Sequence, residues 1–122
     1  VISAVDIVFV NYYPFWEGIA LDQAITTLKA WHVDLTTRVG GKPIIVSETG
    51  WPSCGNPKGS AVPSKANART YLLDFVSWAN ATNVEYFYFE AFDEGWKVNY
   101  GDDGLFGVGP CWGIWDKNGV LK

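Results

Sequence analysis

The sequence predicts an α/β fold made of two consecutive strand–helix–strand units. Three short, continuously apolar segments alternate with two longer segments in which apolar residues recur every three or four positions, the spacing of a helix. The short segments lack the polar alternation of a strand with one solvated face, which is typical of parallel strands covered on both sides. We therefore expect three parallel strands in a single domain over residues 1–122, with both helices on one side of the sheet.

The first strand is predicted at 5–10, a run rich in β-branched residues. A turn region follows at 11–18. Apolar residues then recur at helical spacing from Leu21 to Val39, and Gly40-Gly41 followed by Pro43 ends this helix. The first third of the chain thus supplies one strand and one helix.

The second strand is predicted at Ile44–Val46, and a loop rich in Gly, Pro and Ser covers 49–63. Ser64 is placed to cap the N-terminus of a second helix, because its hydroxyl can accept a bond from a free backbone N–H. The apolar side of that helix is formed by Ala68, Tyr71, Leu72, Phe75, Val76 and Ala79.

The third strand is predicted at 84–89 and is almost wholly aromatic. The tail from Gly95 to Lys122 is rich in glycine, and we expect turns at Gly101 and at 104–109. Asp116-Lys117-Asn118-Gly119 is predicted to form the turn of a hairpin-like ending between 113–115 and 120–121.

The composition excludes several classes of function. A net charge of −4, from 9 Lys+Arg against 13 Asp+Glu, argues against a nucleic-acid partner, which would normally be met by a basic surface. No apolar run reaches the roughly 18 residues that a spanning helix requires, so we expect a soluble protein with no membrane partner. His32 is the only histidine, and neither a Cys/His cluster nor a phosphate-binding glycine loop occurs, so we expect no metal and no cofactor. The many aromatic residues suit either a core or a sugar-binding cleft.

Three further features bear on origin. Cys54 and Cys111 leave no cysteine over if they pair, although two cysteines can also be free buried thiols. Asn80-Ala81-Thr82 is an acceptor sequence for N-glycosylation, although such sequences also arise by chance. Together these two features favour a secreted protein in an oxidising location. The chain has no methionine, so either its first residue was removed or it is a piece of a longer protein.

Glu48 stands out as a candidate catalytic residue. It ends an apolar strand and is followed at once by Thr49-Gly50-Trp51-Pro52. In parallel α/β folds, ligands bind at the carboxyl ends of the strands. Simple alternation would place Ile44, Val46 and Glu48 on one face of the strand, with Glu48 at its tip. The alternative is a strand-end glutamate that merely faces water.

The residues around Glu48 closely resemble glycoside hydrolase family 17, the β-1,3-glucan hydrolases and glucanosyltransferases of plants and fungi. The resemblance rests first on Ser47–Ser53 and on Asn67–Tyr71 in the following helix. Val10–Trp16, Phe89–Lys97 and Trp112–Asp116 agree in the same order along the chain. The Trp-Lys pair and the Trp-Gly-Ile ending look more like the fungal or bacterial members than the plant ones.

This resemblance implies an eight-stranded β/α barrel, of which the three strands would be strands six, seven and eight, and a cleft for β-1,3-glucan at the carboxyl ends of those strands. Glu48 matches the nucleophile, and Lys97 beside it would keep its carboxylate ionised. The predicted disulfide joins Cys54, after strand seven, to Cys111, after strand eight. The other residues carried over are the supporting Glu94 and Lys97 and the cleft residues Asn11, Tyr13, Phe15, Trp51 and Trp96.

These side chains also have simpler interpretations. Tyr13, Phe15 and Trp51 can be core residues, and Glu94 with Lys97 can be an exposed ion pair of little consequence.

The second carboxyl group of the family's site has no match in this sequence. A retaining glycosidase needs an acid about 5–5.5 Å from its nucleophile. The resemblance places that acid in an Asn-Glu pair after strand four, and no such pair occurs here. The remaining nearby candidates are Glu17, Glu90, Asp93 and Asp102, and none of them sits in the required motif. Glu90 and Glu94 are not expected to form a catalytic pair with each other, because an extended backbone would hold them ~13 Å apart.

Three functions follow as hypotheses. The first is the C-terminal part of a secreted β-1,3-glucan hydrolase or glucanosyltransferase. The second is a catalytically silent fragment that only binds glucan through its aromatic residues. The third is an inactive barrel piece that associates with copies of itself, or with the missing N-terminal part, through its sheet edges and the exposed aromatic face of the third strand.

Overall fold

The computed structural model describes residues 2–99 and 101–122 and contains a three-stranded parallel sheet. Strands β1 (Val8–Tyr12), β2 (Ile44–Thr49) and β3 (Glu85–Tyr86) lie side by side in the order β1-β2-β3. Helix α1 (Leu21–Arg38) joins β1 to β2, and helix α2 (Lys65–Thr82) joins β2 to β3. The predicted α/β order and the parallel sheet are therefore confirmed.

The ends of the strands differ from the prediction. β1 begins at Val8 rather than at residue 5, after a 3₁₀ turn at Ile2–Ala4, and it continues to Tyr12. β3 is much shorter than the predicted 84–89. Its backbone nevertheless follows β2 further, since Phe87 N–H donates to Val46 and Phe89 N–H donates to Thr49, each at 2.8 Å.

The two helices begin and end close to where the sequence places them. Helix α2 starts as predicted, with the Ser64 hydroxyl accepting a bond of 3.0 Å from the backbone N–H of Asn67. It ends at Asn83, which adopts the left-handed conformation that asparagine tolerates. None of the described helices is long and apolar enough to cross a membrane.

A bulge in β2 changes which face carries Glu48. Val10 lies opposite Val46, but the next residue, Asn11, lies opposite Glu48, so Ser47 is an extra residue with no partner in β1. The expectation that Val46 and Glu48 share a face is wrong for this reason. Val46 and Thr49 are both buried, whereas the carboxylate of Glu48 is directed elsewhere.

The core lies between the sheet and the two helices. It is continuous and rich in aromatic rings, and it includes Leu28 from α1, Val46 from β2, and Tyr71 and Phe75 from α2. The Thr49 and Tyr71 hydroxyls share a buried hydrogen bond of 2.7 Å. This bond fixes the carboxyl end of β2 to α2.

The opposite face of the sheet is open. Phe9 is 59% exposed and Phe87 is 63% exposed. The expected exposure of the third strand's aromatic face is thus confirmed, while the self-association inferred from it stays a prediction.

The tail is more helical than expected. Where we expected turns at Gly101 and 104–109, the structure has helix α3 (Gly101–Phe106) and a 3₁₀ turn at Gly109–Cys111, after a first 3₁₀ turn at Gly95–Asn99. Glycine is a weak helix former, but short helices tolerate it when contacts with the rest of the protein hold them.

The hairpin-like ending is confirmed. Asp116 Oδ1 accepts bonds from the backbone N–H groups of Asn118 and Val120, and Lys122 N–H donates to Ile114 at 3.1 Å.

Candidate active site

Glu48 lies near the carboxyl end of β2, where its carboxylate meets a tyrosine from the end of β1. The hydroxyl of Tyr13 donates a hydrogen bond of 3.0 Å to Oε2 of Glu48. Both side chains are half-buried. A hydrogen bond to a carboxylate is roughly twice as strong as one between neutral groups, so this contact orients the acid.

The ring of Tyr13 is held by two aromatic neighbours. It packs edge-on against Trp112, with 5.5 Å between ring centroids, and against Phe89 at 6.4 Å. Trp112 comes from the tail and is buried. The hydroxyl that contacts Glu48 is therefore positioned by residues from both ends of the chain.

Asn11 supports the same strand end. Its Oδ1 accepts a bond of 2.6 Å from the hydroxyl of Ser47, the bulged residue. Because Asn11 lies opposite Glu48 in the sheet, this bond holds the bulge that sets the direction of Glu48.

Lys97 forms a compact ion-pair cluster with two glutamates. Its ammonium lies 2.7 Å from Glu90 Oε2 and 2.5 Å from Glu94 Oε2. The Lys97 side chain is only 9% exposed, so the interpretation as a merely exposed ion pair does not describe it. Both carboxylates meet one ammonium, so they lie much closer together than an extended backbone would hold them, and the turn at Gly95–Asn99 brings Lys97 back to them.

Burial and pairing act in opposite directions in this cluster. Burial raises the pKa of the Glu90 carboxyl more than the hydrogen bond from Lys97 lowers it. The hydrogen bond from Lys97 is the main cause of the lowered pKa of Glu94. For Lys97, burial lowers the pKa, but the bonds to both carboxylates outweigh it and leave the pKa raised.

Glu48 is not a member of this cluster. The expected ion pair between Lys97 and Glu48 is not formed, since the ammonium binds Glu90 and Glu94 instead. The Lys97 ammonium sits 4.5 Å from the ring centroid of Phe89, and Phe89 packs on Tyr13. Contacts therefore run from Lys97 through Phe89 and Tyr13 to Glu48.

Two of the predicted cleft aromatics lie in the core. Phe15 and Trp51 are 0% and 1% exposed, and their rings pack against each other at 5.6 Å. Neither ring has surface with which to contact a sugar, so the core interpretation is correct for both. Trp96, by contrast, is 65% exposed beside the Lys97 ammonium.

A cavity of about 500 Å³ opens next to Tyr13 at the end of β1. It is lined by Asn11, Tyr12, Tyr13, Trp16, Glu17 and Trp31. Another cavity, of about 510 Å³, lies between α2 and the tail and has no acidic residue in its lining. The first cavity combines four aromatic rings with a carboxylate, that of Glu17, whereas a further cavity of about 730 Å³ between α1 and α2 is lined by Asp22, Asp74 and a single aromatic ring, that of Trp78.

Sequence reasoning missed the part played by Glu90. We considered it only as a replacement acid, although it follows an apolar strand just as Glu48 does. The same strand-end argument could have selected it. No sequence signal indicated that Trp112 packs against Tyr13. The two residues are far apart in the chain, and the folded tail brings them together.

The tail is fastened to the loop after β2. Cys54 and Cys111 form a disulfide with 5.6 Å between their Cα atoms, which confirms the predicted pairing. Beside it, the Lys122 ammonium binds Asp93 at 2.6 Å and Ser53 at 2.7 Å. Asn80 is exposed in the last turn of α2, and its glycosylation stays a prediction.

Comparison with known proteins identifies the family. Residues 1–113 match the BtgE/BtgC glycoside hydrolase domain. A protein named probable glucan endo-1,3-beta-glucosidase, from Aspergillus fumigatus, is 35% identical over 99% of this chain and 20% of its own length. The glucan 1,3-beta-glucosidase of Saccharomyces cerevisiae is 33% identical over 100% of this chain and 40% of its own length.

Solved structures agree with the sequence match. The family 17 β-1,3-glucanosyltransferase of Rhizomucor miehei is 33% identical and superposes with a TM-score of 0.88 over 99% of this chain and 42% of its own. An active-site mutant of that enzyme has been solved with laminaritriose. A β-1,3-glucanase from Cryptomeria japonica pollen, at 20% identity and a TM-score of 0.71, shares the fold.

The chain spans about a fifth to two fifths of the length of these curated relatives. Its three-stranded sheet and helices match part of the β/α barrel of family 17. The expected likeness to fungal members is confirmed by the relatives found. The chain belongs to the BtgE/BtgC glycoside hydrolase domain family, and its solved structural relatives include a member of glycoside hydrolase family 17.

Proposed function

We propose that this chain is the C-terminal part of a secreted, retaining β-1,3-glucan hydrolase or glucanosyltransferase, with Glu48 as its nucleophile. In this proposal residues 1–122 form one partial-barrel domain, and β1, β2 and β3 are barrel strands six, seven and eight. The observation that carries the proposal is the carboxylate of Glu48 at the end of β2, oriented by the hydroxyl of Tyr13.

The proposed reaction has two steps. Oε1 or Oε2 of Glu48 attacks the anomeric carbon of a glucosyl unit, and the bond from that carbon to the leaving oxygen breaks. A water molecule, which gives hydrolysis, or a hydroxyl of a second glucan, which gives transfer, then attacks the anomeric carbon and breaks its bond to Glu48. The residue that acted as acid in the first step, which would come from outside these residues, takes the proton of the attacking group. Both outcomes retain the anomeric configuration and use the same glutamate.

The residues around Glu48 have distinct parts in this proposal. Asn11, Tyr13 and Trp96 are half-buried or exposed and would contact the glucan, whereas Phe15 and Trp51 would support the cleft floor from within the core. The Lys97–Glu94 pair would lie beside the sugar on the Trp96 side. Trp16 and Glu17, in the lining of the cavity next to Tyr13, would extend the binding surface.

The acid that protonates the leaving oxygen would come from a strand four that these residues do not contain. General acid help typically contributes 10²–10⁴-fold in rate. We therefore expect the isolated 122-residue chain not to cleave laminarin detectably. It should react only with a substrate whose leaving group needs no protonation.

A second candidate function is a silent glucan-binding or self-associating fragment. The open apolar sheet face at Phe9 and Phe87 favours it, because such a surface is normally covered by another part of a barrel or by a partner.

Secretion is part of the proposal. A disulfide persists in oxidising compartments, and Cys54–Cys111 is formed here. Exposed Asn80 would accept a glycan on the secretory route. Expression through a eukaryotic secretory pathway should add one glycan that the Asn80→Gln variant lacks.

The test uses a 2-fluoro-β-laminaribiosyl fluoride, since fluoride leaves without acid help and the 2-fluoro group slows release of the adduct. Intact mass spectrometry should show one added glycosyl group, and peptide mapping should place it on Glu48. Glu48→Gln should abolish the label. The control Glu85→Gln, which changes an exposed glutamate at the start of β3, should label like the unmodified chain.

Labelling that survives Glu48→Gln would overturn the assignment of the nucleophile. Binding of laminaritriose without any labelling would favour the silent binding fragment instead.

A further inference from the structure

The two carboxylates that hold Lys97 are unlike in burial. Glu90 is 14% exposed, whereas Glu94 is 39% exposed, and the Lys97 side chain between them is 9% exposed. An ion pair that faces water contributes little and exchanges easily. A buried carboxylate that loses its partner is left as an uncompensated charge, which is strongly destabilising.

The backbone around Glu90 is fixed more firmly than the backbone around Glu94. Glu90 N–H donates to Trp112 at 3.2 Å, and Glu90 C=O accepts from Ile114 N–H at 2.9 Å. Glu94 instead precedes the 3₁₀ turn at Gly95–Asn99. The backbone of Glu90 is thus bonded to the tail, whereas Glu94 lies at the start of a surface turn.

Glu90 also depends on Lys97 more than Glu94 does. Its Oε1 is fully buried and has no hydrogen-bond partner among the described residues, so the bond from Oε2 to Lys97 is its main compensation. The ammonium is further held over the ring of Phe89 at 4.5 Å.

We propose that Glu90 is a positioning residue that holds the Lys97 ammonium permanently beside the glucan cleft, while Glu94 is the partner that a sugar hydroxyl displaces. The exposed ring of Trp96, 5.4 Å from the ammonium, marks the side from which the sugar enters. Lys97 then donates to the hydroxyl, and the released Glu94 accepts from another. The exchange rests on the function proposed above, whereas the positioning of Lys97 does not.

The test compares two variants that each remove one charge from the same ammonium, Glu90→Gln and Glu94→Gln. A lysine ammonium held by hydrogen bonds exchanges its protons slowly and gives a ¹H–¹⁵N NMR signal of its own. We expect this signal of Lys97 to survive in Glu94→Gln and to disappear in Glu90→Gln. Titration with laminaritriose should move the ¹³C carboxyl signal of Glu94 and leave that of Glu90 in place.

Affinity for laminaritriose gives a second comparison. Loss of the fixed ammonium in Glu90→Gln should weaken binding about 10-fold or more, as expected for a hydrogen bond to a charged group. Glu94→Gln should change it less than about 3-fold. If Glu90→Gln does not fold, the carboxyl signals of the unmodified chain still decide the exchange, and the Lys97 signal in Glu94→Gln still decides whether Glu90 holds the ammonium without Glu94.

A Lys97 signal that survives Glu90→Gln and is lost in Glu94→Gln would overturn the positioning role. Movement of the Glu90 signal instead of the Glu94 signal would overturn the exchange. An absence of laminaritriose binding would contradict the exchange and the proposed function together, while the Lys97 signal would still decide whether Glu90 positions it.

Discussion

Tyr13 and Glu48 are 35 positions apart in the chain and are joined by a hydrogen bond of 3.0 Å at the carboxyl edge of the sheet. The tyrosine ring is fixed by aromatic packing, so its hydroxyl is presented to the carboxylate at little cost in conformational entropy. This contact connects the packing of the tail with the chemistry proposed for Glu48.

Tyr13→Phe should slow covalent labelling of Glu48 by the laminaribiosyl fluoride about 10–100-fold, because a hydrogen bond to a charged group is lost while the ring keeps its packing. The melting temperature should change little. Tyr86→Phe is the control, since Tyr86 packs on Phe75 in the core away from Glu48. An unchanged labelling rate in Tyr13→Phe would contradict the orienting role.

Gly50→Ala should be among the most damaging small substitutions in this chain. A Cβ at Gly50 would lie 2.1 Å from the carbonyl oxygen of Phe89, which belongs to the segment paired with β2. We expect a loss of several kcal/mol, measured by urea unfolding, because backbone must move.

Gly95→Ala is the matched control, because a Cβ there meets nothing within 4 Å. It should stay within about 0.5 kcal/mol of the unmodified chain. Equal stability of the two variants would show that β2 and the segment after β3 separate more easily than their contacts indicate.

Removal of the disulfide should lower stability substantially. Cys54 and Cys111 are 57 positions apart, and closing a loop of that length stabilises the fold by roughly 4 kcal/mol in the chain-entropy model. The double variant Cys54→Ser/Cys111→Ser should therefore unfold at much lower urea concentration, and reductant should have no further effect on it. If the urea midpoint of the double variant equals that of the oxidised, unmodified chain, the loop between residues 54 and 111 is already constrained without the disulfide.

Asp116 should make stability depend on pH in the acidic range. Hydrogen bonds from the backbone N–H groups of Val120 and Asn118 hold the pKa of this carboxyl below its ordinary value. The folded state therefore favours the ionised form. The contribution is present above the ordinary pKa of an aspartate, about 4, and is lost as the pH falls through the lowered folded-state pKa.

Asp116→Ala should consequently lower the melting temperature near pH 7, and its difference from the unmodified chain should shrink as the pH falls below about 4. Lys117→Ala, in the same exposed turn, should show no such convergence. A difference that stays constant down to pH 2 would contradict the role of the ionised carboxylate.

The sequence allowed the main elements to be predicted because their signals are local. The helical spacing from Leu21 to Val39 and the capping serine at 64 need no knowledge of the rest of the fold. The position of Glu48 at a strand end followed from the same local pattern. Its membership of a site came from the resemblance of the residues around it.

The remaining features depend on contacts between distant parts of the chain. Phe15 and Trp51 were expected in the cleft, yet both are closed into the core, and Trp112 from the tail packs on Phe15. Composition cannot distinguish a cleft ring from a core ring, because the difference lies in what covers it. The pairing of Glu90 with Lys97 was missed since extended-chain geometry does not include the turn at Gly95–Asn99.

The extra residue in β2 has a consequence for anyone who redesigns this barrel segment. Ser47 shifts the alternation of β2 by one residue. Before it, the even-numbered Val46 faces the core, and after it the odd-numbered Thr49 does. A regularised β2 in which Ser47 is an ordinary paired residue would keep the whole Glu48–Ser53 motif and still turn the carboxylate to the face of Val46, toward α2. The direction of the proposed nucleophile thus depends on how β2 pairs with β1 as well as on which residues β2 contains.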